Sequence, residues 1–455
     1  MKSLRFKLTS VVMAFIIVVS LLIVAVVAVP NINLSMNGNV SFVVNETDVY
    51  LNKVTLKNTV TETSEGNYQA GDKVLDSYSD LYIQENTSID ISDVTVLSNQ
   101  TMEIDFDMTS LNANYIKVNL SYQNLPSTVH IASTSLYMPK NPSEDLLQGD
   151  TRTYKIYIKN TGTSALNLSN INLQISFEEK TSLLQNDTTN QYYYVEMGTI
   201  ATSTGSEYIK WRYISADGEN AYTYNSTTAP TGTGYFILET NVLDAVGLDG
   251  TNNMIEVPFN ADYIQNDVEA DIENHHMQNG WENIAANDYS TSNVRQYING
   301  NNVYDDRTLA NNIFTPSGRY SNMYADYNID PENDLVYQNI IGRSLGDLYK
   351  GMGWDGSKFP PTYFDTTFPT FNEGATIKYT ENDVDKFWLL SYKEAYNLFP
   401  TMSDSLWMNM YWLRSPYSHT GKGVWGCYVD SSGDLSYTNV VLSHVAARAA
   451  FKFSI

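Results

Sequence analysis

Ile171-Asn172-Leu173-Gln174-Ile175-Ser176-Phe177 decides the fold of the first half of the chain. Four apolar side chains alternate with three polar ones. Successive side chains of a strand point to opposite faces, so this period of two buries one face and wets the other. Upstream, Thr153–Ile158 carries a similar pattern, and Asn160-Thr161-Gly162-Thr163 between the two has turn chemistry. The two runs are therefore expected as a strand pair. Further short runs sit at Asn39–Val44, Ile89–Val96, Met102–Met108 and Tyr115–Leu120. Strands at this spacing, with no helical period between them, predict an all-β antiparallel sandwich over residues 31–185.

The composition suits such a fold. Charged residues make up only 17% of the 455 residues, while tyrosine alone numbers 34. That is too aromatic for a disordered chain and fits strands with polar outer faces. Acids outnumber bases 51 to 27, giving a formal net charge of −24. Nucleic acid and anionic headgroups should repel such a chain, so no nucleic-acid partner is expected. The single cysteine, Cys427, permits no internal disulfide and no cysteine-based zinc site.

The N-terminus reads as an export element over residues 1–30. Lys2, Arg5 and Lys7 precede an apolar run from Val11 to Val29 interrupted by Ser20. Val26-Val27-Ala28 suits cleavage, yet about 19 apolar residues also suit a spanning helix. A cleaved signal peptide and a retained membrane anchor both remain open. In either case the positive flank leaves everything after Pro30 outside the cytoplasm, at the cell surface or secreted. Asn-x-Ser/Thr triplets at Asn33, Asn39, Asn45, Asn86, Asn99, Asn119, Asn167, Asn186 and Asn225 all fall in the first half. They would be glycosylated only in a host with the enzymes.

The chain changes character near Gly205. Tryptophans begin at Trp211, and helix and strand signals mix. Residues 186–204 are read as a linker and 205–455 as an α+β domain. Ser292–Asn299 reads as a short helix, and Asp385–Leu398 as strand then helix. Trp407–Leu413, Val424–Val429, Leu435–Val441 and Ala447–Phe453 read as strands, with Asp430–Asp434 as a hairpin turn.

Four stretches of this second half carry a resemblance. Tyr208-Ile209-Lys210-Trp211-Arg212-Tyr213-Ile214 looks like an opening strand, and Ser292-Asn293-Val294-Arg295-Gln296-Tyr297-Ile298-Asn299-Gly300 is similar to a Ser-Asp-Leu-Arg-x-Trp-Leu-Asn helix. Leu389-Leu390-Ser391 with Glu394-Ala395 matches Leu-Leu-Ser-x-x-Glu-Ala, and Tyr411-Trp412-Leu413-Arg414-Ser415-Pro416 matches Trp-Trp-Leu-Arg-Ser-Pro. In order and spacing these resemble the surface-protein module of gut-type Firmicutes called domain of unknown function six-two-seven-three. The closing Gly-Val-Arg-Pro-Ala-Leu of that family stands here as Ala446-Ala447-Arg448-Ala449-Ala450-Phe451, keeping the arginine. The resemblance implies a C-type-lectin-like fold, shared with formylglycine-generating enzymes, in which Trp412, Arg414, Pro416, Gly433 and Arg448 are signature residues. It implies no chemistry. In the first half, Gly149 to Phe177 resembles strand pairs of TasA-like and camelysin-like matrix proteins.

Catalytic constellations are not evident. Formylglycine chemistry needs two thiols, and only Cys427 is present. His275-His276 lies among Asp262, Asp267, Glu269, Asp271 and Glu273 without zinc-ligand spacing. Asp430-x-Ser432-x-Asp434 lacks the glycine and glutamate of a calcium loop. No metal, cofactor or catalytic residue is assigned. The positive signal is aromatic density near the C-terminus. Trp412, Leu413 and Trp425 are expected in the core, and Tyr417, His419, Tyr437, Asn439 and His444, in loops or beside turns, are the candidate ligand contacts. The chain reads as an exported, non-enzymatic surface protein binding an extracellular glycan or protein. The alternatives are a structural fibre or biofilm-matrix subunit and, behind it, a formylglycine-generating-type enzyme.

Overall fold

The computed structural model describes residues 39–42, 48–64, 67–75, 81–83, 87–91, 94–123, 125–143, 149–168, 171–239, 257, 259, 289, 292–300, 322–350, 384–398, 410–419, 422–430, 435–439 and 445–455. Antiparallel sheets dominate these residues, with few and short helices. No helix among them is long and apolar enough to cross a membrane. The export segment at residues 1–30 lies outside the described residues.

Strands are numbered along the chain. The largest sheet of the first half runs β12 (Leu166–Asn167), β6 (Thr95–Val96), β2 (Val49–Ser64), β7 (Thr101–Ser110), β11 (Arg152–Asn160), β9 (Val129–Ser133), with β3 (Asn67–Val74) and β4 (Leu81–Tyr82) also on β2. A second sheet runs β10 (Tyr137–Met138), β8 (Tyr115–Gln123), β13 (Asn172–Lys180), and β1 (Asn39–Phe42) pairs with β5 (Thr87–Asp90). Ile171, Leu173, Ile175 and Phe177 are all buried, as their alternation requires. They share one core with Ile116, Val118 and Leu120 of β8 and with Leu56, Ile104, Phe106 and Ile156 of the larger sheet.

Two readings of this half are corrected. β11 and β13 are not partners. β11 lies between β7 and β9, whereas β13 pairs with β8 in the other sheet. The turn between them closes on itself and on a neighbouring loop: Gly162 N donates to Asn160 Oδ1 at 2.9 Å and Thr161 N to Thr128 O at 2.8 Å. The chain then crosses to the second sheet. Alternation reports a half-buried face and carries no information about which strand lies alongside. The run Ile89–Val96 is likewise divided between β5 and β6.

The second half is built on a sheet ordered β14 (Gln185–Asp187), β15 (Tyr192–Ala201), β16 (Ser206–Ser215), β17 (Thr233–Leu238), β24 (Ala450–Ser454), β18 (Ile340–Ile341). Its core is aromatic: the Phe236 and Phe451 rings stack at 5.5 Å and Trp211 lies 5.1 Å from Phe451. Among the described residues five short helices follow: α1 (Asn293–Ile298), α2 (Met323–Asp326), α3 (Leu335–Gln338), α4 (Leu345–Lys350) and α5 (Tyr392–Leu398). β19 (Arg343–Ser344) pairs with β20 (Val384–Asp385), and β21 (Tyr411–His419), β22 (Lys422–Val429) and β23 (Leu435–Asn439) form a sheet of their own.

Residues 186–204, read as a linker, contain β15, a largely buried strand between β14 and β16. The composition change at Trp211 marks a change in core chemistry within one sheet, not a break in the chain. A fragment starting at residue 205 would lose β14 and β15 and uncover Ile209 and Trp211, both fully buried.

The two halves meet through buried polar groups. Lys117 Nζ on β8 lies 2.6 Å from Glu196 Oε2 on β15, with Tyr137 donating to the same carboxylate. The ammonium also sits 4.2 Å above the Tyr208 ring, and Tyr208 donates to Val118 O at 2.5 Å. The β15–β16 turn rests on β8: Tyr122 N donates to Thr204 O at 2.8 Å, and a Cβ on Gly205 would collide with Leu120 O. A second contact comes from residues 328–338. Lys155 Nζ lies 2.8 Å from Asp330 Oδ2, Thr153 N donates to Asn333 Oδ1 at 3.0 Å, and Ser135 Oγ donates to Asp334.

Removing one member of a buried pair strands the other charge. Lys117→Met should cost about 3–5 kcal/mol, and pairing it with Glu196→Met should recover most of that loss. Urea denaturation of the two variants measures both values. An equal loss in single and double variants would show that Glu196 does not depend on Lys117.

Asp334 is fully buried. Burial pushes its carboxyl up from 3.8 to about 6, against the hydrogen bonds from Ser135 and from the Tyr337, Gly198 and Val336 amides. The folded state therefore holds a proton that the unfolded chain releases between those values. This contribution is complete below about 3.8 and is lost as pH rises through about 6. Asp334→Asn keeps an amide-accepting oxygen and cannot ionise. Relative to the parent chain it should gain about 3 kcal/mol between pH 3.5 and 7.5. Chemical denaturation at the two pH values measures the difference, and an unchanged gap would show that Asp334 does not titrate in this window.

Candidate ligand-binding cleft

The residues singled out near the C-terminus lie mainly on strands, not loops. Tyr417 and His419 belong to β21, and Tyr437 and Asn439 to β23. The register sets Tyr417 against Trp425, Asn439 against the same Trp425, and Tyr437 against the buried Cys427. Register shifts between Trp412 and Pro416 and between Tyr417 and His419 let β21 run through a proline. Those irregularities hide the strand from a period-two reading. The side chains of Pro416, Tyr417, His419, Trp425, Tyr437 and Asn439 lie outside the described residues, as do Gly433, His444 and the His275-His276 stretch.

Trp412, Arg414 and Arg448 are described, and all three are buried. Trp412 is buried, with Nε1 donating to Val257 O at 2.8 Å. Arg414 is wholly buried. It donates to Leu348 O at 3.2 Å and Leu389 O at 2.6 Å, and grips both oxygens of Glu394. Glu394 also caps α5: Ser391 N donates to its Oε2 at 2.8 Å while its own N–H donates to Ser391 Oγ at 3.0 Å. Ser391 and Glu394 thus form a reciprocal capping box at the start of α5. Burial would raise the Glu394 carboxyl, but the Arg414 charge, with Arg343 and the Ser391 amide, draws it down to about 2. Arg448 is buried as well, donating to Leu238 O at 2.9 Å beneath the Tyr411 ring. Burial pushes the Cys427 thiol well up, which keeps it protonated and a poor nucleophile.

A cleft of about 300 Å³ opens elsewhere on this half, lined by Arg295, Gln296, Asn299, Tyr324, Tyr337, Val384, Asp385 and Lys386. Helix α1 and its C-cap Asn299 supply three of these. Ser292 caps its first turn, accepting from Arg295 N, and places Arg295 and Asn299 four residues apart on one face. Gly300 ends it at φ +80°, where any Cβ would also strike the Tyr324 ring.

The walls are fixed by paired groups. Arg295 binds Asp385 bidentately, at 2.9 Å from Nε and 2.8 Å from Nη2. Asn299 holds the segment after β20, donating to Phe387 O at 3.0 Å and accepting from Phe387 N at 3.3 Å. Tyr324 and Tyr337 meet edge to face at 5.5 Å with their hydroxyls 3.1 Å apart. The Lys386 ammonium lies 4.0 Å above the Tyr337 ring and donates to Tyr337 O at 3.0 Å. Partial burial lowers the Lys386 pKa. Among the described residues no three His, Cys, Asp or Glu side chains gather to hold a metal.

Sequence reasoning singled out none of these side chains as ligand contacts. Arg295 and Asn299 were visible only as parts of the α1 motif, and Lys386 as the residue before Phe387-Trp388. Tyr324 and Tyr337 carry no pattern that separates them from the other tyrosines.

The Arg414 fork should not tolerate a shorter point charge. Arg414→Lys replaces four directed bonds and leaves acceptors unmet, so it should cost about 3 kcal/mol or more. A thermal melt matching the parent chain would refute the structural role. Comparison with protein-family models, with curated proteins and with solved structures finds no match for this chain.

Proposed function

We propose that this chain is an exported cell-surface recognition protein whose second half binds an extracellular glycan without catalysis. The first half serves as a β-sandwich stalk and the second as a C-type-lectin-like α+β head, with the N-terminal segment directing export. The observation that carries the reading is the cleft between α1, α2, α3 and β20. Ligand sites are concave, rigid and few, with a small number of convergent polar groups beside aromatic walls. Here Tyr324 and Tyr337 supply rings, and Gln296, Lys386 and the two hydroxyls supply hydrogen-bonding capacity. The buried contacts at Lys117, Ser135 and Lys155 support the stalk assignment, because they mount the head on the sheets below it.

Gln296 lies half-buried on α1 at the rim of the cleft. Gln296→Trp should fill the cleft at little cost to the fold. On a glycan array the full chain should retain saccharides that this variant does not. Retention by the variant, with loss on Tyr437→Ala, would move the site to the β21–β23 sheet.

A further inference from the structure

We infer that the cleft is built for a saccharide bearing one carboxylate, such as a hexuronate unit. The inference rests on the glycan-binding reading and adds the charge and identity of the sugar. Three charged side chains line the cleft: Arg295, Asp385 and Lys386. The first two neutralise each other in a bidentate pair, which leaves Lys386 as the uncompensated charge among the described lining residues. An ammonium has three donors, and Lys386 gives one to Tyr337 O. Gln296, half-buried and also lining the cleft, makes no hydrogen bond through its amide among the described residues. The Tyr324 and Tyr337 hydroxyls spend one hydrogen bond on each other and keep further capacity.

The open groups are thus predominantly donors, set around one positive charge on tyrosine walls. A carboxylate accepts from an ammonium and an amide together in charge-assisted bonds. The ring carbons of a pyranose suit the tyrosine rings, and its hydroxyls suit the phenols. A phosphate dianion fits less well, because Asp385 lines the same cleft and only one cation is left over. A chain at −24 repels anions at long range, and salt screens that repulsion more than it screens a contact pair, so the preference acts at short range and should persist at physiological salt.

The experiment is calorimetric titration of the full chain, in detergent micelles, with a glucuronate-terminated disaccharide, its neutral glucose counterpart, its methyl ester and an N-acetylated dipeptide carboxylate. Binding of the glucuronate about tenfold or more tighter than the neutral sugar and the ester supports the proposal. Lys386→Met keeps the aliphatic stem over Tyr337 and should abolish that preference. Gln296→Leu should weaken uronate binding with the melting temperature unchanged. Equal binding of acidic and neutral sugars overturns the carboxylate assignment and leaves the glycan reading standing. Preference for the dipeptide overturns the saccharide assignment. No binding of any saccharide by a chain with the parent near-ultraviolet spectrum overturns this proposal and the glycan reading together.

Discussion

The arrangement of the two halves depends on a charge pair buried where they meet. Lys117 and Glu196 lie 2.6 Å apart and are each less than a tenth exposed. Taking two ions out of water costs several kcal/mol apiece, and their attraction offsets this only when the remaining donors and acceptors are also used. They are used here. Tyr137 donates to the Glu196 carboxylate, and the Lys117 ammonium faces the Tyr208 ring, whose hydroxyl bridges Val118 and Leu136. Such a set of bonds is satisfied in one relative placement of β8 and β15. A purely apolar junction could slide; this one has a register.

The same device recurs inside the second half. Arg414 gathers α4, the segment before α5 and α5 itself by reaching Leu348, Leu389 and Glu394. Arg448 ties the last strand to β17 through Leu238. Short helices and irregular segments leave many backbone carbonyls without ladder partners, and a buried carbonyl must find a donor. A guanidinium offers five donors in a fixed fork and can serve several at once. Where the described helices are only four to seven residues long, buried arginines supply donors that longer helices would otherwise provide.

What the sequence made legible follows from this division. Strands with one wet face announce themselves, so β7, β8, β11 and β13 could be read from alternation alone. Their partners could not, because pairing is set by the loops and by the opposing sheet. β15 was missed because Tyr192-Tyr193-Tyr194-Val195 has no polar alternation: it is covered on both sides, and such a run looks like neither a half-buried strand nor a loop. Arg414 and Glu394 were visible as a motif whose geometry the structure supplies. The cleft was illegible because its walls come from four elements spread over residues 295–386, and their convergence on one concave surface exists only after folding.

Helix α3 shows how closely junction and cleft are joined. Asp334 caps it, accepting from Val336 N at 2.9 Å and Tyr337 N at 3.1 Å through one oxygen. Its other oxygen takes the Ser135 hydroxyl, which in turn accepts from Gly198 N at 2.7 Å. One carboxyl therefore holds the first half, β15 and the helical turn that carries Tyr337. Tyr337 in the cleft wall stands three positions after Asp334 at the junction, and a four-residue helix has no slack to absorb a shift at its cap. A shift of the second half against the first at Asp334 would move Tyr337 against Tyr324 and Lys386. The contacts that mount the cleft are the contacts that shape it.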